Sequence, residues 1–377
     1  LEYVIFPYGK GLRHDAVNVV PEFIVPEEKV MIKVAGSLFS ILFVFFVTPV
    51  FAVEANGTGS MIVAPLLRVW AESYSMYSKG SSIKYQGSNP ADGLKKISNK
   101  EVEFGIVDMP LRLEELQKLG LVQFPVALGS IAPVVNLPNV YPGQFKLDGQ
   151  VFGDILLGVI TKWNHPAIAA LNPSLKLPDA SIIVVHRVSP PGISTVMGDY
   201  LSKTHTSWKS IKGDGMAGEW PAKSIEVKNP EGMLNAVKGN QHSIGYGPIA
   251  HFLKHSMSYA QLRNKAGKFV SPSDENVEAA AENADWNVSN GFAVVLTEQP
   301  GENSWPLSMA AYALMLKNPE YPERSKEVLK YFKYSLRYGK LKAVQNDYIA
   351  LPDSVRTKVD ASWEGIVDAQ GVPLLKK

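Results

Sequence analysis

Short apolar runs alternate with helical segments along most of the 377-residue chain, and this alternation restricts the fold more than any other feature. Leu66, Leu67, Val69, Trp70 and Tyr74 recur at helical spacing and predict a helix over 65–77. A strand over 83–86, a helix over 91–97 and an apolar strand over 104–107 follow. Runs over 131–136 and 182–186 read as buried strands, with short helices at 155–157 and 167–171 and another helix near 194–201. Strands alternating with helices indicate an α/β protein with mostly parallel sheets flanked by helices. A chain of this size is expected to divide into two lobes.

From Met31 the chain reads as an export signal. Lys33 precedes an apolar run over 41–47, and Val50 and Ala52 flank Phe51 in a signal-peptidase pattern, with cleavage expected after Ala52. Pro49 and the lack of a following basic cluster argue against a membrane anchor. Residues 1–30 read as an upstream extension and 31–52 as the signal. The chain has no cysteine, which excludes disulfides, thiolate metal sites, cysteine nucleophiles and a lipidated N-terminal cysteine. The expected product is a soluble exported protein. A net charge of +2 gives no reason to expect a nucleic-acid partner.

Three strand-to-helix junctions are built from small residues: Gly57-Thr58-Gly59-Ser60, Gly87-Ser88-Asn89-Pro90, and the segment from Arg187 through Gly192 to Ser194. Backbone N–H groups and the positive dipole end at such helix starts suit an anion. Other motifs carry less. His251 and His255 stand four apart, but no carboxylate lies between them at a matching helical position, so they read as a solvated face. The glycine-rich stretch over 213–218 precedes Glu219-Trp220-Pro221 and reads as a loop. Trp70, Tyr74 and Tyr77 read as core. There is no Gly-x-Ser-x-Gly elbow and no phosphate-loop lysine motif, and no nucleophile–base pair or metal cluster is evident, so an enzyme is not expected.

At these junctions the sequence resembles the periplasmic phosphate-binding proteins of bacterial high-affinity phosphate ABC transporters. The resemblance runs from about Glu54 to Leu375. It is carried by Tyr85-Gln86-Gly87, Phe104-Gly105 with Asp108 and Pro110-Leu111, Lys162-Trp163, Ala167-Ile168-Ala169 with Leu171-Asn172-Pro173, Ile244-Gly245-Tyr246, Ala284-Asp285-Trp286 and Leu351-Pro352-Asp353. It implies a two-lobed periplasmic-binding-protein fold, a Venus flytrap that closes over an oxyanion and passes it to an inner-membrane ABC permease. Lobe one would span 53–126 and 308–377, and lobe two 127–307. The resemblance further implies a periplasmic monomer that needs no cofactor.

Carried over by position, the resemblance makes Asp108 the acceptor that selects a protonated oxyanion and Arg187 the guanidinium that pairs with it. Ser60, Met61, Ser88, Ser189, Gly192 and Ser194 would supply N–H or hydroxyl donors. The loops depart from the family pattern at four positions. Met61 and Ile193 stand where the family has threonines, and Pro90 and Pro191 where it has ligand serines. Proline supplies neither hydroxyl nor N–H. At roughly 1.5–3 kcal/mol per hydrogen bond to a charged group, losing even half of these donors costs several kcal/mol. Asp92 also places a negative charge at a helix start. The sequence therefore supports two expectations: a receptor for phosphate or a related oxyanion, or a homologue whose ligand has changed or been lost and which acts as a sensor or secreted interaction protein.

Overall fold

The computed structural model describes residues 53–187, 192–213, 215–216 and 218–375. The upstream segment and the export signal lie outside these residues, as do Ser189, Pro190 and Pro191.

Five elements open the fold: β1 (Glu54–Ser60), α1 (Ala64–Tyr77), β2 (Ser82–Ser88), α2 (Pro90–Ser98) and β3 (Phe104–Val107). α1 buries Leu66, Leu67, Trp70 and Tyr74, the stripe that predicted it. α2 lies tight on the sheet because both contacts are glycines. A Cβ on Gly93 would meet the Gly59 Cα at 2.8 Å, and Gly59 itself has φ +131°. α3 (Leu113–Leu119) ends at Gly120, which has a left-handed conformation, and β4 (Leu121–Asn136) follows.

The middle of the chain runs through β5 (Phe145–Leu147), α4 (Gly149–Leu156), α5 (Pro166–Leu171), β6 (Ile183–Arg187), α6 (Ile193–Thr204), α7 (Trp208–Lys212) and β7 (Ser224–Val227). It continues through α8 (Pro230–Gly239), β8 (Ser243–Pro248), α9 (Ile249–Leu253), β9 (Ser258–Arg263), β10 (Phe269–Val270) and α10 (Asp274–Glu282). β11 (Ser308–Leu316), α11 (Pro322–Tyr338), α12 (Lys340–Gln345) and α13 (Asp353–Ser362) complete it.

The principal strand order is β2-β1-β3-β11-β4-β8-β6-β7. β1 pairs in parallel with β2 and β3, and β6 in parallel with β7 and β8. The α/β class holds, but the centre is antiparallel, where β11 joins β3 to β4 and β4 joins β8. Of β4, only the second half, 131–136, is read as a strand in the sequence, although each half carries a proline, Pro125 and Pro133. The structure accommodates Pro125 at a register shift opposite Ala311 and Tyr312, a bulge that spares it a ladder donor. β4 therefore pairs with β11 through Ser130 and with β8 from Ile131 onward.

The apolar core runs along the whole sheet, and a smaller cluster of Val185, Met233, Leu234, Val237 and Phe252 lies under α8 and α9. Trp163 and Trp305 are fully buried and satisfied, donating from Nε1 to the His242 carbonyl at 2.9 Å and the Ile131 carbonyl at 3.0 Å. Truncating such a residue to alanine costs about 3–5 kcal/mol. Asn172 is structural too: its side chain accepts from Lys146 N at 2.8 Å and donates to Lys146 O at 2.9 Å, as a strand neighbour would. Tyr77 departs from the core reading. It is 64% exposed and stacks on Tyr334 with ring centroids 4.6 Å apart, since it closes the last turn of α1.

Candidate oxyanion site at the ends of β1, β3 and β6

Parallel strands followed by helices bring their C-terminal ends and the helix starts to one edge of the sheet, where ligands of α/β proteins gather. Ser60 ends β1, Asp108 follows β3, and Arg187 ends β6. Gly192 and Ser194 lie at the start of α6.

Asp108 is 4% exposed, and its Oδ1 has no hydrogen-bond partner among the described residues. Burial pushes its carboxyl up to about 6, while the Ser60 hydroxyl and the Arg187 charge act to lower it. A Cβ on Gly192 would stand 2.8 Å from Asp108 Oδ2, and Gly192 has φ +115°. Glycine is thus required there twice, for its backbone conformation and for the close approach of the carboxylate. Ser60 is fully buried: its hydroxyl accepts from Ile62 N at 3.1 Å, and its carbonyl accepts from Tyr85 Oη at 2.8 Å. Burial and the charge of Asp108 push the Tyr85 phenol up, so it stays protonated and keeps donating.

Arg187 donates from Nη2 to the Lys228 carbonyl at 3.3 Å, and its Nε is buried without a partner among the described residues. Burial lowers its pKa, opposed by Tyr246 and Asp108. Tyr246, on β8, is fully buried; burial pushes its phenol up to about 12, opposed by the backbone and the charge of Arg187, and its hydroxyl donates to no acceptor among the described residues. Ser194 is 4% exposed and its Oγ is likewise unpartnered.

The structure thus brings together Ser60, Asp108, Arg187, Gly192 and Ser194, and it engages one expected donor, the Ser88 hydroxyl, elsewhere. Met61, from which only the N–H is expected to serve, is 68% exposed. The Ser88 hydroxyl is engaged within the chain, 3.1 Å from Thr58 Oγ1 and hydrogen-bonded to Asp92. Ser189 lies outside the described residues. Sequence reasoning missed Tyr85 and Tyr246 as site residues although both stand in quoted motifs. The available signal was a phenol inside a buried apolar strand, which requires a polar partner.

The start of α2 is closed by the chain itself. Asn89 Oδ1 accepts from Asp92 N at 2.9 Å, Pro90 opens the helix, and Asp92 lies in its first turn, 3.5 Å from Lys96 Nζ. The hydrogen bond from Ser88, foremost, holds the Asp92 carboxyl below its ordinary value. Among the described residues, no helix is long and apolar enough to cross a membrane.

Comparison with known proteins gives the family and the fold. The model of the PBP superfamily domain matches residues 51–337. The phosphate-binding protein PstS of Pasteurella multocida is 40% identical over 87% of this chain and 94% of its own length. The protein of the same name from Xylella fastidiosa is 38% identical over 83% of this chain and 85% of its own. The fold also matches an ABC-type phosphate transport receptor from Vibrio cholerae, with TM-score 0.56 and 19% identity over 79% of this chain and all of that one (100%). This chain belongs to the PBP superfamily and, within it, to the family of the phosphate-binding protein PstS.

Proposed function

We propose that this chain is a periplasmic receptor that captures phosphate, or an oxyanion equally able to carry a proton, and presents it to an ABC permease. It works as a monomer, without cofactor and without catalysing a reaction. The observation that carries this reading is the set of buried polar atoms left unpaired at the site. Arg187 Nε, Ser194 Oγ and Tyr246 Oη can each donate, whereas Asp108 Oδ1 can only accept while ionised. Three donors and one acceptor suit an anion with several oxygens and one proton to give. Monohydrogen phosphate and arsenate meet that description at neutral pH; sulfate has no proton for Asp108.

The lobes would be 53–126 with 308–377, and 127–307, joined where β4 passes from β11 to β8. Asp108 then belongs to one lobe and Arg187 to the other, so an anion held by both favours the closed population. A second reading, a receptor whose ligand has changed, is favoured by the self-closed start of α2. Calorimetry against phosphate, arsenate, sulfate and molybdate separates them. Heat with phosphate and arsenate but not sulfate is expected, and no heat with any of the four would overturn the receptor reading. A phosphate dissociation constant below about 10 μM, roughly −7 kcal/mol, would remove the second reading.

A further inference from the structure

Three side chains far apart in sequence meet beside α8 and α9. Glu231 lies in the first turn of α8, after the Asn229 cap whose Oδ1 accepts from Gly232 N at 2.8 Å. His251 lies on α9, and His255 follows in a turn where His255 N donates to Phe252 O at 3.1 Å. That turn keeps both imidazoles on one side, with ring centroids 5.6 Å apart. His251 Nε2 lies 3.3 Å from Glu231 Oε2 and makes no hydrogen bond among the described residues. One donor atom from each of Glu231, His251 and His255 falls within 4.8 Å of the other two.

We propose that Glu231, His251 and His255 form a binding site for a borderline transition-metal cation, Zn²⁺ or a near neighbour in the first row. Two imidazole nitrogens and one carboxylate oxygen are the donors such ions favour, whereas Mg²⁺ and Ca²⁺ take oxygen-rich sets. Bonds of about 2.0–2.2 Å in a tetrahedron require donor atoms roughly 3.3–3.5 Å apart. The His251–Glu231 edge already has that length, and Glu231 and His255 are exposed enough to rotate the remaining edges inward. The scaffold is firm: Phe252, between the histidines, is fully buried in the same apolar cluster as Met233 and Leu234 of α8. Lys254, the cation nearest in sequence, is held by Asp347 instead of entering the site. Water would take the fourth position. The sequence hid this site because its carboxylate comes from α8, not from the helix that carries the histidines.

The test is calorimetry of the chelator-stripped full chain with ZnCl₂ in phosphate-free buffer, with Co²⁺ absorption as a second readout. One ion per chain at micromolar dissociation constant is expected, with the strong visible bands of four-coordinate Co²⁺. H251Q and H255Q should each weaken binding at least tenfold, and E231Q severalfold; H165Q, away from the cluster, should leave it unchanged. No zinc binding below millimolar concentration would overturn the proposal, and so would an unchanged constant in the H251Q/H255Q double variant. Loss with H251Q but none with H255Q would also overturn it, reducing the cluster to an ion pair. Because the exposed His255 and Glu231 can be replaced without touching the core, a folding defect would not mimic these losses.

Discussion

The starts of α2 and α6 both follow a strand whose parallel neighbour feeds the site, yet they handle their free N–H groups in opposite ways. α2 is neutralised internally by the Asn89 amide oxygen and the Asp92 carboxylate, with Pro90 removing one donor. α6 begins at Gly192 with no side-chain cap among the described residues and no acidic residue in its first turn. The Asp108 carboxylate, just after β3, stands against Gly192, and the Ser194 hydroxyl in the first turn has no partner among the described residues. A helix start capped by its own side chains has little left for a ligand, whereas one left uncapped beside an arginine does. Binding energy should therefore be concentrated on the Asp108–Arg187–α6 side, and the variants below test that imbalance.

The largest effect should come from Arg187→Met. It removes the cation on that side while keeping the aliphatic stem, and charged hydrogen bonds to an anion contribute about 1.5–3 kcal/mol each. Phosphate affinity should fall by two to three decades in titration calorimetry, with unfolding by denaturant little changed. A loss of less than fivefold would show that the anion is held elsewhere.

Asp108→Asn should cost phosphate about tenfold and admit sulfate, because the amide can donate where the carboxylate only accepts. The same logic makes the wild-type chain sensitive to pH. The Asp108 carboxyl sits near 6, so below that pH the group is protonated, can donate, and loses its preference for a protonated ligand. Sulfate binding that appears as pH falls from 7 to 5, and that Asp108→Asn shows at both, would establish this. Stability has a definite sign as well. A carboxyl raised from 3.8 to about 6 makes the folded state bind more protons than the unfolded one across that window. Asp108 should therefore contribute a loss of about 2 kcal/mol to the ligand-free chain as pH rises from 4 to 6, and Asp108→Asn should remove that contribution.

Gly192→Ala tests the close approach itself. A methyl group there would press on Asp108 Oδ2 while the backbone holds φ +115°. Anion affinity should drop about tenfold, with a stability loss of about 1–2 kcal/mol from the strained conformation. Gly120→Ala is the control, since its added Cβ meets nothing within 4 Å at a φ of +65°. It should lower stability through backbone strain while leaving binding unchanged.

Much of this was legible in the sequence, and what was not has identifiable physical causes. α1 and α6 were readable because one apolar stripe serves one core, and β3 because it is buried on both faces. β4 was read only over 131–136; its first half, which carries Pro125 at the bulge opposite Ala311 and Tyr312, was not found, although the half that was read carries Pro133. Asp108 and Arg187 were readable as a pair only through the family motif, since one follows β3 and the other ends β6, strands that β11, β4 and β8 separate in the sheet. Tyr85 and Tyr246 escaped because a buried phenol reads as core until its oxygen proves to lack a partner or to support Ser60. The Ser88 hydroxyl escaped for the reverse reason. Its residue type suits an anion, but its hydroxyl is engaged by Thr58 and Asp92 of the chain itself.

The smallest effect, and the most pointed test of the comparison, belongs to α2. If its start is closed by a charge of the wrong sign, Asp92→Asn should improve phosphate binding by about two- to fivefold while Asn89 keeps the helix capped. The gain should fade at high salt, because Asp92 and Lys96 are both partly exposed and the field between them is screened. Adding Pro90→Ser restores a hydroxyl and an N–H at the first turn and should extend the improvement to about tenfold. A double variant that binds no better than wild type would mean that α2 is too far from the anion to matter. The asymmetry between the two helix starts would then be a matter of helix stability and not of recognition.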